Sequence, residues 1–304
     1  MQYRLVDNFG REINRLRIKI THKCNYMCFF CHNEGFQESN DLLTVDDIDF
    51  IVSTCMDAGI DRFKITGGEP LLRSDIIDIV KTISKYDPRD LSLSTNGYYL
   101  DRYVYELKKA GLKRINISVH SLNRKVYKYI TGIDALNKVL SNVEETSRVG
   151  FSQVKLDVLV LTINVHEIFN FVNLAEKLGI DLQFIELMPI GKAKYIFNKY
   201  HVDIYQVLEK LKRRYNVKNV KFRRDLHYRP LIKINNITIE FVKGYCNPKF
   251  CMNCRQVRLT SNGVLYACIY DATPINVIDT IKSRRRDEFV RKLKLLCLLR
   301  RPRF

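Results

Sequence analysis

The chain has 304 residues, 46% of them hydrophobic, enough for a barrel-sized core with a smaller module beside it. Its 51 Lys and Arg against 33 Asp and Glu give a net charge of +18, a field that attracts anions such as a polyphosphate, a nucleic acid or an acidic surface. Residues 1–10 carry no apolar stretch behind a basic start, and apolar runs such as 158–163 are strand-sized, so neither a secretory signal nor a membrane span is expected and the chain reads as cytoplasmic.

From residue 16 to 187, short β-branched runs alternate with amphipathic segments of helical length. Strands are predicted at 16–21, 62–66, 91–95, 114–119, 154–161 and 182–187, and helices at 44–58, 74–85, 100–110, 135–149 and 165–178. Thr44 and Asp47 form a weak capping box. Gly59, Gly111, Gly150 and Gly179 follow the helices where a left-handed residue is wanted. Six β/α units in series imply a parallel sheet, either open or a partial barrel. Cys24, the Gly67-Gly68-Glu69-Pro70 turn, Thr95-Asn96-Gly97, Ser118-His120-Ser121 and Glu186-Met188 then gather at the C-terminal rim, where such sheets carry their chemistry.

Beyond Gly191 the pattern changes. A helix is expected at 202–215, strands at 231–234, 238–243, 257–260 and 264–269, and a basic amphipathic segment at 286–299. The domain boundary falls there, giving units 1–190 and 191–304.

Nine cysteines are many for a reducing compartment, where metal ligation is the better reading than disulfides. Cys55 and Cys297 sit on apolar helical stretches and read as core thiols. Cys24-x3-Cys28-x2-Cys31 suits an iron–sulfur cluster. Three thiolates on a four-iron cluster leave one iron open for a chelating ligand such as the methionine part of S-adenosylmethionine (SAM). A zinc site completed by His22 or His32 is the alternative. Cys251-x2-Cys254-x13-Cys268, with Cys246 upstream, fits zinc and an iron–sulfur cluster equally on spacing alone.

Cys24-x3-Cys28-Phe29-Phe30-Cys31 after a first strand, followed by Gly67-Gly68-Glu69-Pro70 after the second, resembles the radical SAM superfamily. The second group with its flank, Arg255-Gln256-Val257-Arg258-Leu259-Thr260 and Gly263, resembles the GTP 3′,8-cyclase family of molybdenum cofactor biosynthesis. The likeness runs along nearly the whole chain, through Phe9-Gly10-Arg11, Lys64-Ile65-Thr66, Ser94-Thr95-Asn96-Gly97, Arg114 to Ser118, Ile130-Thr131-Gly132 and Phe184 to Met188.

The resemblance implies a partial (β/α)6 TIM-like barrel with a C-terminal iron–sulfur cluster-binding module. It implies two 4Fe–4S clusters, on Cys24, Cys28 and Cys31 and on Cys251, Cys254 and Cys268, and SAM contacts at Phe30, Gly68, Ser118 and Met188. GTP contacts would fall on Arg17, Lys64, Ser94, Lys155, Gln256 and Arg258. Gly68 would bring its backbone close to the SAM amino group. The implied reaction cleaves SAM to methionine and 5′-deoxyadenosine, takes a hydrogen from the ribose 3′ carbon of GTP and joins that carbon to purine C8. Implied partners are an electron donor (a reductase, or a protein of ferredoxin or flavodoxin type), the cyclic pyranopterin monophosphate synthase that follows, and a second copy in a homodimer. Two features depart from the family: Gln256 stands where an arginine is usual, with Arg255 beside it, and the chain ends Arg301-Pro302-Arg303-Phe304 where many relatives end Gly-Gly. A radical SAM enzyme acting on RNA or a peptide, and a non-catalytic metal-dependent nucleic-acid binder, are the rival readings.

Overall fold

Alternation along the strands organises the structure, a computed structural model that describes residues 4–33, 40–270 and 273–302. Six strands pair in chain order, all parallel: β3 (Arg15–Lys19), β4 (Arg62–Thr66), β5 (Asp90–Thr95), β6 (Arg114–Ser118), β7 (Gln153–Val160) and β8 (Asp181–Glu186). They follow a small antiparallel pair, β1 (Leu5–Val6) and β2 (Glu12–Ile13). On one face lie Leu16, Ile18, Phe63, Ile65, Leu91, Leu93, Ile115, Ile117, Leu156, Leu182 and Phe184, all fully buried in the main core. Each such side chain contributes about 1.5–3 kcal/mol through burial, so this face fixes where the helices pack. The other face is polar. Register sets Arg17 beside Lys64, Lys64 beside Ser92, Ser94 beside Asn116, Asn116 beside Lys155, and Asp157 beside Gln183.

The connecting helices follow local chemistry. Helix Val45–Asp57 starts at the full Thr44/Asp47 capping box. Helices Ile76–Ser84, Leu100–Lys109, Leu136–Arg148 and Ile168–Leu178 bury one apolar stripe each. Gly59, Gly111, Gly150 and Gly179 all have left-handed φ, as their positions predict. Helix Arg124–Thr131 was not expected. It is capped by Asn123, which accepts from Lys125 N and Val126 N, and it ends at left-handed Gly132.

The C-terminal segment extends the sheet at both edges. Helix Ile204–Arg214 precedes β9 (Lys221–Arg223), β10 (Arg229–Ile234) and β11 (Ile237–Val242), an antiparallel meander whose β11 runs parallel to β8. After helix Pro248–Met252, β12 (Gln256–Leu259) lies parallel to β3, and β13 (Val264–Tyr266) and β14 (Ile275–Asn276) continue antiparallel. The result is a 12-stranded open sheet with eight parallel strands at its centre, a partial barrel. Helix Arg286–Leu299 packs on helix Val45–Asp57, with Phe50 and Phe289 edge to face at 5.9 Å. Cys55 and Cys297 are buried thiols, as expected. No helix among the described residues is long and apolar enough to cross a membrane.

Candidate active site

The first cysteine group sits on the loop that leaves β3, and the turn after β4 shapes that loop. Gly68 N donates to Thr21 O and Glu69 N to Lys23 O, both at 2.8 Å. A Cβ at Gly68 would lie 2.2 Å from Lys23 O. The glycine is therefore required by the chain's own backbone one residue before Cys24, a reason for it that needs no ligand. Glu69 is fully buried and accepts from Leu71 N, Thr95 Oγ1 and Asn96 N at 2.7–3.0 Å. Burial outweighs these bonds and pushes its carboxyl up to about 7. Asn96 Nδ2 in turn donates to Asn25 Oδ1 at 2.8 Å, which ties the end of β5 to the cysteine loop.

Cys24 and Cys31 are exposed and Cys28 half-buried, and all are free thiols. Cys31 N donates to Cys28 O at 3.0 Å. Desolvation of the sulfurs raises the Cys28 thiol to about 12 and, on a residue whose surface is otherwise exposed, the Cys24 thiol to about 11, and neighbouring thiols add to both shifts. Neutral thiols such as those of Cys24 and Cys28 are poor nucleophiles. They become good ligands once a cation displaces their protons. Among the described residues no three His, Cys, Asp or Glu close on a single-ion position.

The residues implied for SAM lie on the same rim. Phe30 meets the His120 ring edge to face at 4.9 Å and rests on an apolar cluster that includes Ile130, Leu159, Leu187 and Tyr200. His120 is buried, which lowers its pKa to about 4, and its Nδ1 accepts from Leu159 N at 3.2 Å. Ser118 ends β6, and Met188 follows β8.

Met188 also reaches a second place, the cavity inside the partial barrel. The six residues implied for the nucleotide, Arg17, Lys64, Ser94, Lys155, Gln256 and Arg258, all line that cavity, as do Cys251, Cys254 and Cys268. They come from β3, β4, β5, β7 and β12, from helix Pro248–Met252, and from the segments before β12 and after β13. Gln256 and Arg258 share the cavity face while Val257 points into the core, as strand alternation predicts. Arg255 lies outside the wall, with Nη1 3.7 Å from Glu12 Oε2. Exposed Cys246, with φ of 47°, is likewise not part of the wall. Arg301 lines it, while Arg303 and Phe304 lie outside the described residues.

Several wall residues escaped the sequence analysis. Arg223 and Arg229 come from β9 and β10 and converge with Lys155 on Glu240 of β11. Lys155 Nζ lies 2.6 Å, Arg229 Nη1 3.1 Å and Arg223 Nη1 3.3 Å from a Glu240 carboxylate oxygen. Burial alone would raise the Glu240 pKa, but the three cations hold it well below the usual carboxylate range. Arg15 and Arg114 are paired with Asp90 at the base of the barrel, at 2.9 and 2.5 Å. Lys64 has no ion-pair partner among the described residues. It faces the cavity from deep within the barrel, and desolvation is the main cause that lowers its pKa to about 7. Asp157 opposes that shift, and Arg17, Arg114 and Arg229 deepen it. This cation-rich enclosure can hold a multiply charged anion through charge-assisted bonds, beside a three-thiol group able to ligate metal.

Two family models match the chain. The model described as "Radical SAM superfamily" matches residues 18–175, and that described as "Molybdenum Cofactor Synthesis C" matches residues 180–304. The chain is 36% identical over 307 residues to a probable GTP 3′,8-cyclase of Sulfurisphaera tokodaii, covering 99% of this chain and 97% of that one. It is 39% identical to a probable GTP 3′,8-cyclase of Sulfolobus acidocaldarius, covering 98% and 96%. Among solved structures, Streptococcus suis SuiB bound to its precursor peptide SuiA has a TM-score of 0.69 at 15% identity, over 91% of this chain and 66% of that one. Native anSMEcpe with bound AdoMet has a TM-score of 0.55 at 14% identity, over 91% and 83%. At such identities these two likenesses concern the fold alone.

Proposed function

The chain belongs to the GTP 3′,8-cyclase family of radical SAM enzymes, and from that premise we propose that it converts GTP and SAM to (8S)-3′,8-cyclo-7,8-dihydroguanosine 5′-triphosphate, 5′-deoxyadenosine and methionine, the first step of molybdenum cofactor biosynthesis. Its cofactors are 4Fe–4S clusters and SAM. We assign one cluster to Cys24, Cys28 and Cys31 and one to Cys251, Cys254 and Cys268. When bound, the first cluster and SAM supply a carbon-centred radical able to take the ribose 3′ hydrogen. What supports the reading most is one observation: all six implied nucleotide contacts and the whole second cysteine group border a single cavity.

In this reading Arg17, Lys64 and Arg258 hold the triphosphate, and Lys155, oriented by Glu240, supports them. Ser94 and Gln256 add neutral hydrogen bonds. Phe30, Gly68, Ser118 and Met188 flank SAM, and Met188 borders both sites. The enclosing barrel excludes water from the reactive species and fixes the distance between donor and acceptor carbons. The division into units 1–190 and 191–304 belongs to the same proposal: the first carries SAM cleavage, and the second completes the nucleotide wall. So do a one-electron donor (a reductase, or a protein of ferredoxin or flavodoxin type), a homodimeric state, and cyclic pyranopterin monophosphate synthase as the consumer of the product.

Anaerobic incubation of the reconstituted chain with GTP, SAM and dithionite tests the proposal, with mass analysis of the nucleotide. Cyclisation followed by reduction gives an isomer of GTP, so the expected product keeps the mass of GTP but fragments differently, and 5′-deoxyadenosine accumulates with it. Formation of 5′-deoxyadenosine with unaltered GTP would overturn the substrate assignment.

A further inference from the structure

The turn at residues 7–11 and the end of the last helix meet although almost the whole chain separates them. The Asp7 side chain is fully buried. Its Oδ1 accepts from Phe9 N and Arg11 N, each at 3.0 Å, and its Oδ2 accepts from Arg11 Nε at 2.6 Å and Arg300 Nη1 at 2.9 Å. Both guanidinium side chains are at most 5% exposed. One carboxylate thus faces two buried cations and leaves one positive charge in excess.

The other hydrogen bonds of the pair run to the second cysteine group or the residue beside it, while Arg11 Nη2 is buried without a partner among the described residues. Arg11 Nη1 donates to Cys251 O at 2.8 Å. Arg300 Nη2 donates to Cys254 O at 3.2 Å and to Cys254 Sγ at 3.1 Å, and its Nε reaches Ala267 O, next to Cys268, at 3.4 Å. Backbone contacts alone could serve only to join the two ends of the chain. The bond to sulfur has no such use, and it is where the excess charge is directed.

We propose that Asp7, Arg11 and Arg300 form a clasp that positions the ligands of the second cluster, and that Arg300 raises the reduction potential of that cluster through its hydrogen bond to the Cys254 sulfur. This rests on the assignment of a cluster to Cys251, Cys254 and Cys268. A donor at a ligand sulfur favours the reduced, more negatively charged cluster, so its removal shifts the midpoint to more negative potential.

The test is a potentiometric titration followed by electron paramagnetic resonance on the reconstituted full chain, comparing wild type with Arg300→Met and Arg300→Lys. Added SAM perturbs the signal of the first cluster and so identifies it. Arg300→Met should move the midpoint of the SAM-insensitive cluster negative and leave the other in place. It should also speed loss of about half the iron to a chelator several-fold. Arg300→Lys, which keeps a cation for Asp7 but lacks the fork, should give an intermediate shift. It decides the matter alone if Arg300→Met fails to fold. An unshifted SAM-insensitive midpoint, or a shift confined to the SAM-sensitive cluster, overturns the clasp. The cluster assignment fails separately if wild type takes up only about four irons and Cys254→Ser does not lower that number.

Discussion

The two cysteine groups share a spacing theme and differ in surroundings. Cys24 and Cys31 lie exposed on a loop whose neighbours are the buried Glu69 carboxyl, the amide of Asn96 and aromatic rings. Cys251, Cys254 and Cys268 border a cavity walled by Arg17, Lys155 and Arg258 and are reached directly by two arginines. In the first setting backbone amides, those of Tyr26 and Asn33, donate to the sulfurs of Cys24 and Cys31, and the group lies open to ligands from the rim. The second is built for anions. In the proposed reading the same three-thiol device serves chemistry in one place and substrate capture in the other, and the difference lies in which charges the fold sets around it.

The sharpest way to break this comparison is to remove one thiol from each side. Cys28→Ala should abolish 5′-deoxyadenosine formation while keeping about half the iron; normal product from that variant, measured by chromatography, would show that the roles are misassigned. Cys268→Ser should leave SAM binding in place but yield no cyclised nucleotide.

Next in size is the wall itself. A charge-assisted contact contributes about 1.5–3 kcal/mol, so Arg258→Ala should weaken GTP binding roughly ten- to a hundredfold. Arg255→Ala, which removes only an outlying pair with Glu12, should change it far less. Equal losses in anaerobic nucleotide binding would contradict the observed strand register.

A smaller effect separates the groups by pH. With its pKa lowered to about 7, Lys64 is roughly nine-tenths neutral at pH 8 in the free chain. Bound phosphate favours the charged form, so binding takes up a proton and affinity falls as pH rises above 7. The expected loss is roughly fivefold between pH 7 and 8. Calorimetry in buffers of different ionisation heat checks the proton uptake, which should vanish in Lys64→Met. The smallest effect is expected at Cys246, which stands off the wall: Cys246→Ser should keep both iron content and activity.

The six parallel strands were legible because each is a short β-branched run, and their observed ends fall within two residues of expectation. The cysteine groups were legible because metal ligation imposes spacing. A further signal was present and not read. Parallel strands covered on both faces are continuously apolar, yet here Arg15, Arg17, Lys64, Arg114, Asn116, Lys155, Asp157 and Gln183 alternate with core residues. That alternation marks a polar lumen. Helix Arg124–Thr131 could also have been found, since Asn123 and Gly132 bracket it. By contrast, nothing local announced Glu240, Arg223 and Arg229 as one cluster. They meet Lys155 only because β11 docks on β8, a pairing across more than 50 residues that the sequence does not encode nearby. The role of Asp7 was hidden for the same reason, since its partner Arg300 is 293 residues away.

The placement of β11 and β12 has a consequence for how the protein is made. A ribosome releases the six central strands first, and both margins of that crescent then present unpaired backbone groups. β8 gains its neighbour only when Ile237–Val242 emerges, and β3 only when Gln256–Leu259 does. Non-local pairing of this kind folds slowly, because loop-closure entropy is lost before the contacts form. Bare strand margins meanwhile recruit other chains. A nascent chain stalled before residue 237 would therefore carry two adhesive borders, and its fate would be set by how quickly residues 237–259 follow.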